Sequence, residues 1–150
     1  MPQSFAQVYL HIVFSTKYRT PMIQPDVEKE LFAFMGDSIK KHKCIPILIN
    51  GMTDHVHVLC TLSRTVTIAK LLEDMKRNSS RWIKSKGDCY RRFDWQDGYA
   101  AFSVSASKKE AVVNYIANQK MHHLDLDYKT ELLKFLDEYG VEYDEEYMWD

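Results

Sequence analysis

The His-Val-His-Val alternation that opens HVHVLCTL, His55 to Leu62, limits the fold more than any other feature of this chain. Side chains on a β-strand point to opposite faces with a period of two. His55 and His57 therefore share one face, while Val56, Val58 and Cys60 share the other, where a core is expected. The preceding Gly51-Met52-Thr53-Asp54 reads as a hairpin turn. Before it, Cys44 to Asn50, CIPILIN, is a second apolar run, and Pro46 suggests an edge position or an irregular start. Gln7 to Ser15, QVYLHIVFS, is β-branched and aromatic and reads as a buried strand.

Helical spacing fills the gaps. Asp26 can cap a helix to about Lys43, with Val27, Leu31, Phe34 and Ile39 repeating on one side. Thr67 begins a longer helix to about Lys86, with Ile68, Leu71, Leu72, Met75, Ser79 and Trp82 on its apolar face. Tyr99 to Ser105 is a further strand. Ser107 is a plausible cap for a helix from Lys108 to about His123, and a last helix runs from about Lys129 to Tyr139 and stops at Gly140. The order β-α-β-β-α-β-α-α predicts an α+β sandwich, a mainly antiparallel sheet with helices packed on it. With no repeat or linker, residues 1–150 are expected to form one domain, with an acidic C-terminal helix and tail from about 124.

The charge is uneven. Through Lys109 there are 17 Lys and Arg against 10 Asp and Glu; from Glu110 onward there are 3 against 11. A net charge of −1 thus hides a basic body and an acidic end, which permits a local phosphate-binding surface. No apolar run approaches a membrane span. The N-terminal MPQSFAQVYLHIVF has no signal-peptide pattern, and Cys44, Cys60 and Cys89 form no Cys-x-x-Cys. A reducing, cytoplasmic setting is expected.

Two imidazoles on one face of a strand can bind a divalent ion, although the same spacing also occurs in structural positions. Tyr115 and Gln119 lie four residues apart in VVNYIANQKMHH, on one face of a helix, and can offer a phenol and an amide oxygen to one point. A phenol is a weak nucleophile at neutral pH, and a nearby divalent cation changes that. Read alone, Tyr115 could equally be a packing aromatic and Gln119 a solvated residue.

The combination resembles the HUH transposases with a single catalytic tyrosine, found in small bacterial insertion sequences (the IS200-like type), and their repeat-associated relatives. YLHIVFSTKYR resembles the family's first strand and its basic exit, GMTDHVHVL its HUH hairpin, and WQDGYAAFSVS with VVNYIANQKMHH the approach to the tyrosine helix. These segments span about Val8 to His123 in the family's order. The resemblance implies an HUH, ferredoxin-like sandwich. It implies that His55 and His57 are the metal pair, Gln119 the third ligand and Tyr115 the nucleophile. It further implies cleavage of single-stranded DNA at imperfect hairpins through a 5′-phosphotyrosine link, Mg²⁺ or Mn²⁺ as the ion, action as a homodimer, and no nucleotide cofactor.

Other residues have weaker claims. Asp54 can orient a histidine, but the turn explains it as well and is preferred. His11 is expected to be a packed or hydrogen-bonded histidine. His122 or His123 could replace Gln119 as ligand. Lys17, Arg19, Arg77, Arg81, Lys84, Arg91 and Arg92 are candidate phosphate contacts. Among Trp82, Tyr90, Phe93, Trp95 and Tyr99, most are expected in the core and one or two free to stack on bases. A His-triad hydrolase would need a third alternating histidine, and position 59 is Leu59. Replication initiators often carry a tyrosine pair, and Tyr115 has no tyrosine four residues away. A domesticated hairpin-binding protein without transposition activity is the alternative reading.

Overall fold

The computed structural model describes residues 2–123 and 126–149. Its framework is a four-stranded antiparallel sheet of β1 (Tyr9–Ser15), β2 (Pro46–Gly51), β3 (His55–Thr61) and β4 (Ala100–Val104), in the spatial order β2-β3-β1-β4. Two helices, α1 (Pro25–Lys40) and α2 (Ile68–Lys84), make the crossovers. After β4 come α3 (Lys109–Ala117), the short α4 (Gln119–His122), α5 (Tyr128–Glu138) and the short α6 (Glu145–Met148). This is the expected ferredoxin-like sandwich. The expected start of the acidic tail at about 124, and its last residue, lie outside the described residues.

Strand alternation sorts the sheet into two faces. Leu10, Ile12 and Phe14 of β1 and Val56, Val58 and Cys60 of β3 meet α1 and α2 in the main core. Val27, Leu31, Met35 and Ile39 form the buried stripe of α1, four residues apart. Leu71, Leu72, Met75, Ser79 and Ile83 do the same for α2. Complete burial of each large aliphatic contributes about 1.5–3 kcal/mol, so this face accounts for most of the packing energy. The other face carries two smaller clusters. Leu59 and Val104 lie under Ile116 of α3, and Val13 and Phe102 lie under Tyr128, Leu132 and Leu136 of α5.

Several local expectations need correction. α1 begins with Pro25 in its first turn after Gln24, so Asp26 is a first-turn acid and not the cap. Proline suits that position because its missing N–H has no helical partner there. Phe34 lies off the buried stripe and stacks on the half-buried Trp82. Ser107 does not cap α3, which starts after Lys108 without a side-chain cap. Thr67 does cap α2, accepting from the Lys70 amide. Pro46 lies on edge strand β2, where the register shifts.

The helix expected from Lys108 to His123 is broken at Asn118. Asn50 of β2 donates from its amide to the Ile116 carbonyl at 2.9 Å, satisfying a group freed by the break. Lys120 bonds the Gly51 carbonyl and pairs with Glu28. The junction that carries Gln119 is therefore pinned to the hairpin that carries the histidines. Gly51 is fixed by contact: a Cβ there would collide with the His55 carbonyl and approach Val56 Cα to 2.9 Å. Gly51→Ala is expected to destabilise the protein by about 1–3 kcal/mol, measured as a lowered urea midpoint with unchanged slope.

Candidate active site

His55, His57 and His11 project from the sheet face between the two smaller clusters. Register explains the grouping: Ser15 pairs with His55, Val13 with His57 and His11 with Leu59, so the three rings occupy neighbouring rows of one face. α3 and α4 bring Tyr115, Gln119 and His123 to this face, and α5 brings Glu131. His55, His57 and Gln119 are completely buried, and Glu131 is 1% exposed.

The Glu131 carboxylate lies at the centre. Its Oε1 is 2.8 Å from His57 Nε2 and 3.3 Å from His55 Nε2. Its Oε2 accepts from the Tyr115 hydroxyl in a short hydrogen bond and from Gln119 Nε2 at 3.3 Å. Gln119 Oε1 is 3.3 Å from His55 Nε2. His123 Nε2 stands 3.2 Å from Oε2 but makes no well-aligned hydrogen bond. Around this centre, His122 stacks on Tyr115, and Phe135 meets both Tyr115 and His11 edge-on.

Outer partners hold the histidines. Asp54 Oδ1 is 2.7 Å from His55 Nδ1, so this residue does orient the ring in addition to ending the turn, against the simpler turn reading. His11 Nε2 is 2.8 Å from His57 Nδ1, with the two rings stacked. His11 is thus a hydrogen-bonded core histidine, and its partner is the second residue of the pair.

Electrostatics follow from this crowding. Burial opposes charge on His55, but the Asp54 and Glu131 carboxylates outweigh it and raise its pKa. Burial dominates at His57 and lowers its pKa despite Glu131. Burial would raise the Glu131 pKa, but the imidazoles of His123, His55 and His57 beside it hold it far below the usual carboxylate range. Burial and the Glu131 carboxylate keep the Tyr115 phenol firmly protonated.

Burial, helped by His57, pushes His11 from 6.5 down to about 3, against the pull of Glu131. The unfolded chain therefore binds a proton here that the folded chain refuses between those values, and stability falls as pH drops through that window. His11→Asn, which keeps a polar partner for His57, is expected to flatten this acid limb. The change is at most about 1.4 kcal/mol per pH unit, read from urea unfolding across the window.

His55, His57, His123 and Glu131 offer ligand atoms that all lie within 4.8 Å of one another. Imidazole nitrogens with carboxylate and amide oxygens suit a divalent ion, and the buried, unpartnered His123 Nε2 fits a missing positive centre. The group could hold a divalent metal.

The structure brings together His55, His57, Tyr115 and Gln119, the residues grouped from the sequence, and sets His123, an open option there, beside them. Sequence reading missed Glu131. The available signal was its position: Tyr128, Glu131, Leu132 and Phe135 follow the i, i+3, i+4, i+7 stripe, so a carboxylate stands in an apolar row. The basic candidates are not gathered here. Arg77, Arg81 and Lys84 lie on α2, whose buried side packs on the opposite sheet face. Arg77 pairs with Glu73 and Asp74. Arg91 and Arg92 are exposed beyond α2, and Lys17 and Arg19 follow β1. Tyr90, Phe93 and Trp95 are core, whereas Trp82 is half-buried and Tyr99 exposed.

Two solved structures share this fold. One, described as a transposase from Deinococcus radiodurans R1, superposes with a TM-score of 0.61 at 22% identity, over 79% of this chain and 98% of that one. The other is a REP-associated tyrosine transposase bound to a REP hairpin, with a TM-score of 0.61 at 10% identity, over 82% of this chain and 73% of that one. At such identities the likeness speaks for the fold, which is one that transposases use. Residues 4–119 match the sequence profile of the family described as "Transposase IS200 like", and the chain belongs to that family. It is a DNA-processing enzyme of the transposase class. No curated protein matches it. Among the described residues no helix is long and apolar enough to cross a membrane.

Proposed function

We propose that this protein cleaves and rejoins single-stranded DNA at hairpin-marked ends, with Tyr115 as nucleophile and a divalent ion, Mg²⁺ or Mn²⁺, beside it. The observation that carries this reading is the meeting of a helical phenol with two strand histidines and Gln119 at one buried point, inside a chain of the IS200-like family. The structural likeness to a transposase bound to a REP hairpin supports a hairpin DNA partner.

His55 and His57 would hold the ion through Nε2 and Gln119 through its amide oxygen, with Asp54 and His11 fixing the rings from behind. Bound there, the ion supplies charge neutralisation at a non-bridging phosphate oxygen and at the leaving 3′ oxygen. The phenol oxygen of Tyr115 attacks phosphorus. The bond to the 3′ oxygen breaks, leaving a 5′-phosphotyrosine link and a free 3′-hydroxyl. A 3′-hydroxyl from another strand reverses the step and frees the phenol, so no nucleotide cofactor is consumed. One chain places Tyr115 beside its own histidine pair, which supports action in cis within the expected homodimer. The basic side chains of α2, on the other sheet face, would hold the hairpin away from the cut.

The test is incubation of the protein with Mn²⁺ and labelled single-stranded hairpin oligonucleotides drawn from DNA flanking its gene. A covalent adduct on the peptide containing Tyr115, lost in chelator, is the expected result. Binding of the same oligonucleotides without any adduct would favour the domesticated hairpin-binding reading.

A further inference from the structure

We propose that Tyr18, with Lys17 beside it, is a stacking platform for one base of the unpaired DNA strand that leads to the cleavage site. The proposal rests on the reading above for the identity of the ligand.

Three observations carry it. The first is the backbone of the turn after β1. Tyr18 has φ 56° and ψ 20°, and Arg19 follows with φ 55°. Both lie in the left-handed region, which glycine adopts freely and side chains disfavour. Surrounding bonds hold them there. The Thr16 hydroxyl donates to the Thr20 carbonyl at 2.6 Å, the Lys17 amide to the Asp94 carbonyl at 2.9 Å, and the Tyr18 amide to Gln96 Oε1 at 3.0 Å. Gln96 is itself buried, and its backbone carbonyl accepts from Lys76 Nζ at 2.7 Å. Strain that is held by so many partners is a mark of ligand-binding turns. Glycine at position 18 would relieve it, so what the strained position supplies is the side chain.

The second is what the turn presents. The Tyr18 ring is 65% exposed, and Lys17 Nζ lies 5.7 Å from its centroid. An open aromatic face beside an ammonium matches a base and the phosphate attached to it. In a duplex both faces of a base are already stacked, so such a platform selects unpaired nucleotides. Tyr90, Phe93 and Trp95 are used by the core and are not available for this role. Arg19 is turned elsewhere, donating from Nη1 to the Trp149 carbonyl at 3.0 Å, which leaves Lys17 as the cation of the platform.

The third is position. β1 ends at Ser15, whose register partner is His55. The next residue, Thr16, donates its amide to the Asp54 carbonyl at 2.9 Å, and the Asp54 carboxylate orients the His55 ring. Tyr18 follows two residues later, at the end of the sheet where the histidine pair begins. The turn is therefore bonded directly to the hairpin that carries the reacting groups, and a base held on Tyr18 is held in register with them. The basic side chains of α2 belong to the other sheet face and suit the paired stem. Tyr18 is a separate contact, and it suits the unpaired flank.

The test uses the full chain and two labelled probes read by anisotropy: a hairpin oligonucleotide from the gene's flank with its unpaired segment, and the same hairpin trimmed to the stem. The parent is expected to bind the first more tightly. Tyr18→Asn removes the ring but suits the left-handed backbone. It is expected to bind the flanked probe about tenfold more weakly and the trimmed hairpin as the parent does, which also shows that it is folded. Tyr18→Phe keeps the ring and should bind both probes as the parent does. Parental binding of the flanked probe by Tyr18→Asn overturns the platform, as does an equal loss on both probes, or a loss in Tyr18→Phe as large as that in Tyr18→Asn. A parent that binds both probes equally, or neither, overturns it too. Adduct formation with Mn²⁺ separates this from the proposed chemistry. An adduct on Tyr115 with no effect of Tyr18→Asn removes the platform alone. A flank-dependent loss in Tyr18→Asn, with no adduct from the parent, leaves the platform standing and removes the tyrosine chemistry.

Discussion

Tyr115→Phe is expected to lower covalent adduct formation by at least about 10⁴-fold while hairpin binding changes less than twofold. The substitution deletes one oxygen, and no other described phenol lies against the His55 and His57 pair except Tyr128, whose ring is tilted beside His55 within the apolar cluster of α5. The stacking of Tyr115 on His122 and its edge contact with Phe135 survive in phenylalanine, so the helix keeps its place. Glu131 loses one of its hydrogen-bond donors but retains His57 and Gln119. Denaturing gels and mass spectrometry of the Mn²⁺ reaction measure the adduct, and anisotropy measures binding. Adduct formation at the parental rate would remove Tyr115 from the nucleophile's role.

His57→Ala is expected to cost metal binding and cleavage together. Loss of an outer partner alone lowers metal affinity about 10–100-fold, and loss of a direct ligand should exceed that. The change also leaves His11 Nε2 and Glu131 Oε1 without their closest partner, so a lower melting temperature is expected as well. Mn²⁺ titration by calorimetry separates the two effects, since a destabilised but folded variant would still bind the ion at high concentration if His57 were no ligand. Cleavage by His57→Ala at the parental rate in chelator would show that the site works without the ion and without this histidine.

The two expected losses have different physical origins. On the proposed reading Tyr115 supplies the atom that forms the new bond. On the same reading His57 would act through an ion, and it also holds Glu131, so its removal is expected to change affinity and stability at once.

Strand alternation alone placed His55 and His57 on one face and Val56, Val58 and Cys60 on the other, because the two-residue period holds wherever the strand pairs. Thr67 and the stripe from Leu71 to Ser79 likewise defined α2 from local spacing. The segments from Val8 to His123 were enough to indicate the IS200-like family, which residues 4–119 match. Tertiary structure decided what meets across the chain. His11 finds His57 only through the β1–β3 register, and Gln119 reaches His55 through a break pinned by Asn50 and Lys120. Glu131 becomes the centre of the site only because α5 folds over the second sheet face. Periodicity shows which side of a helix is apolar but not which surface that side will cover, so a carboxylate in such a row acquires its partners only in the assembled fold.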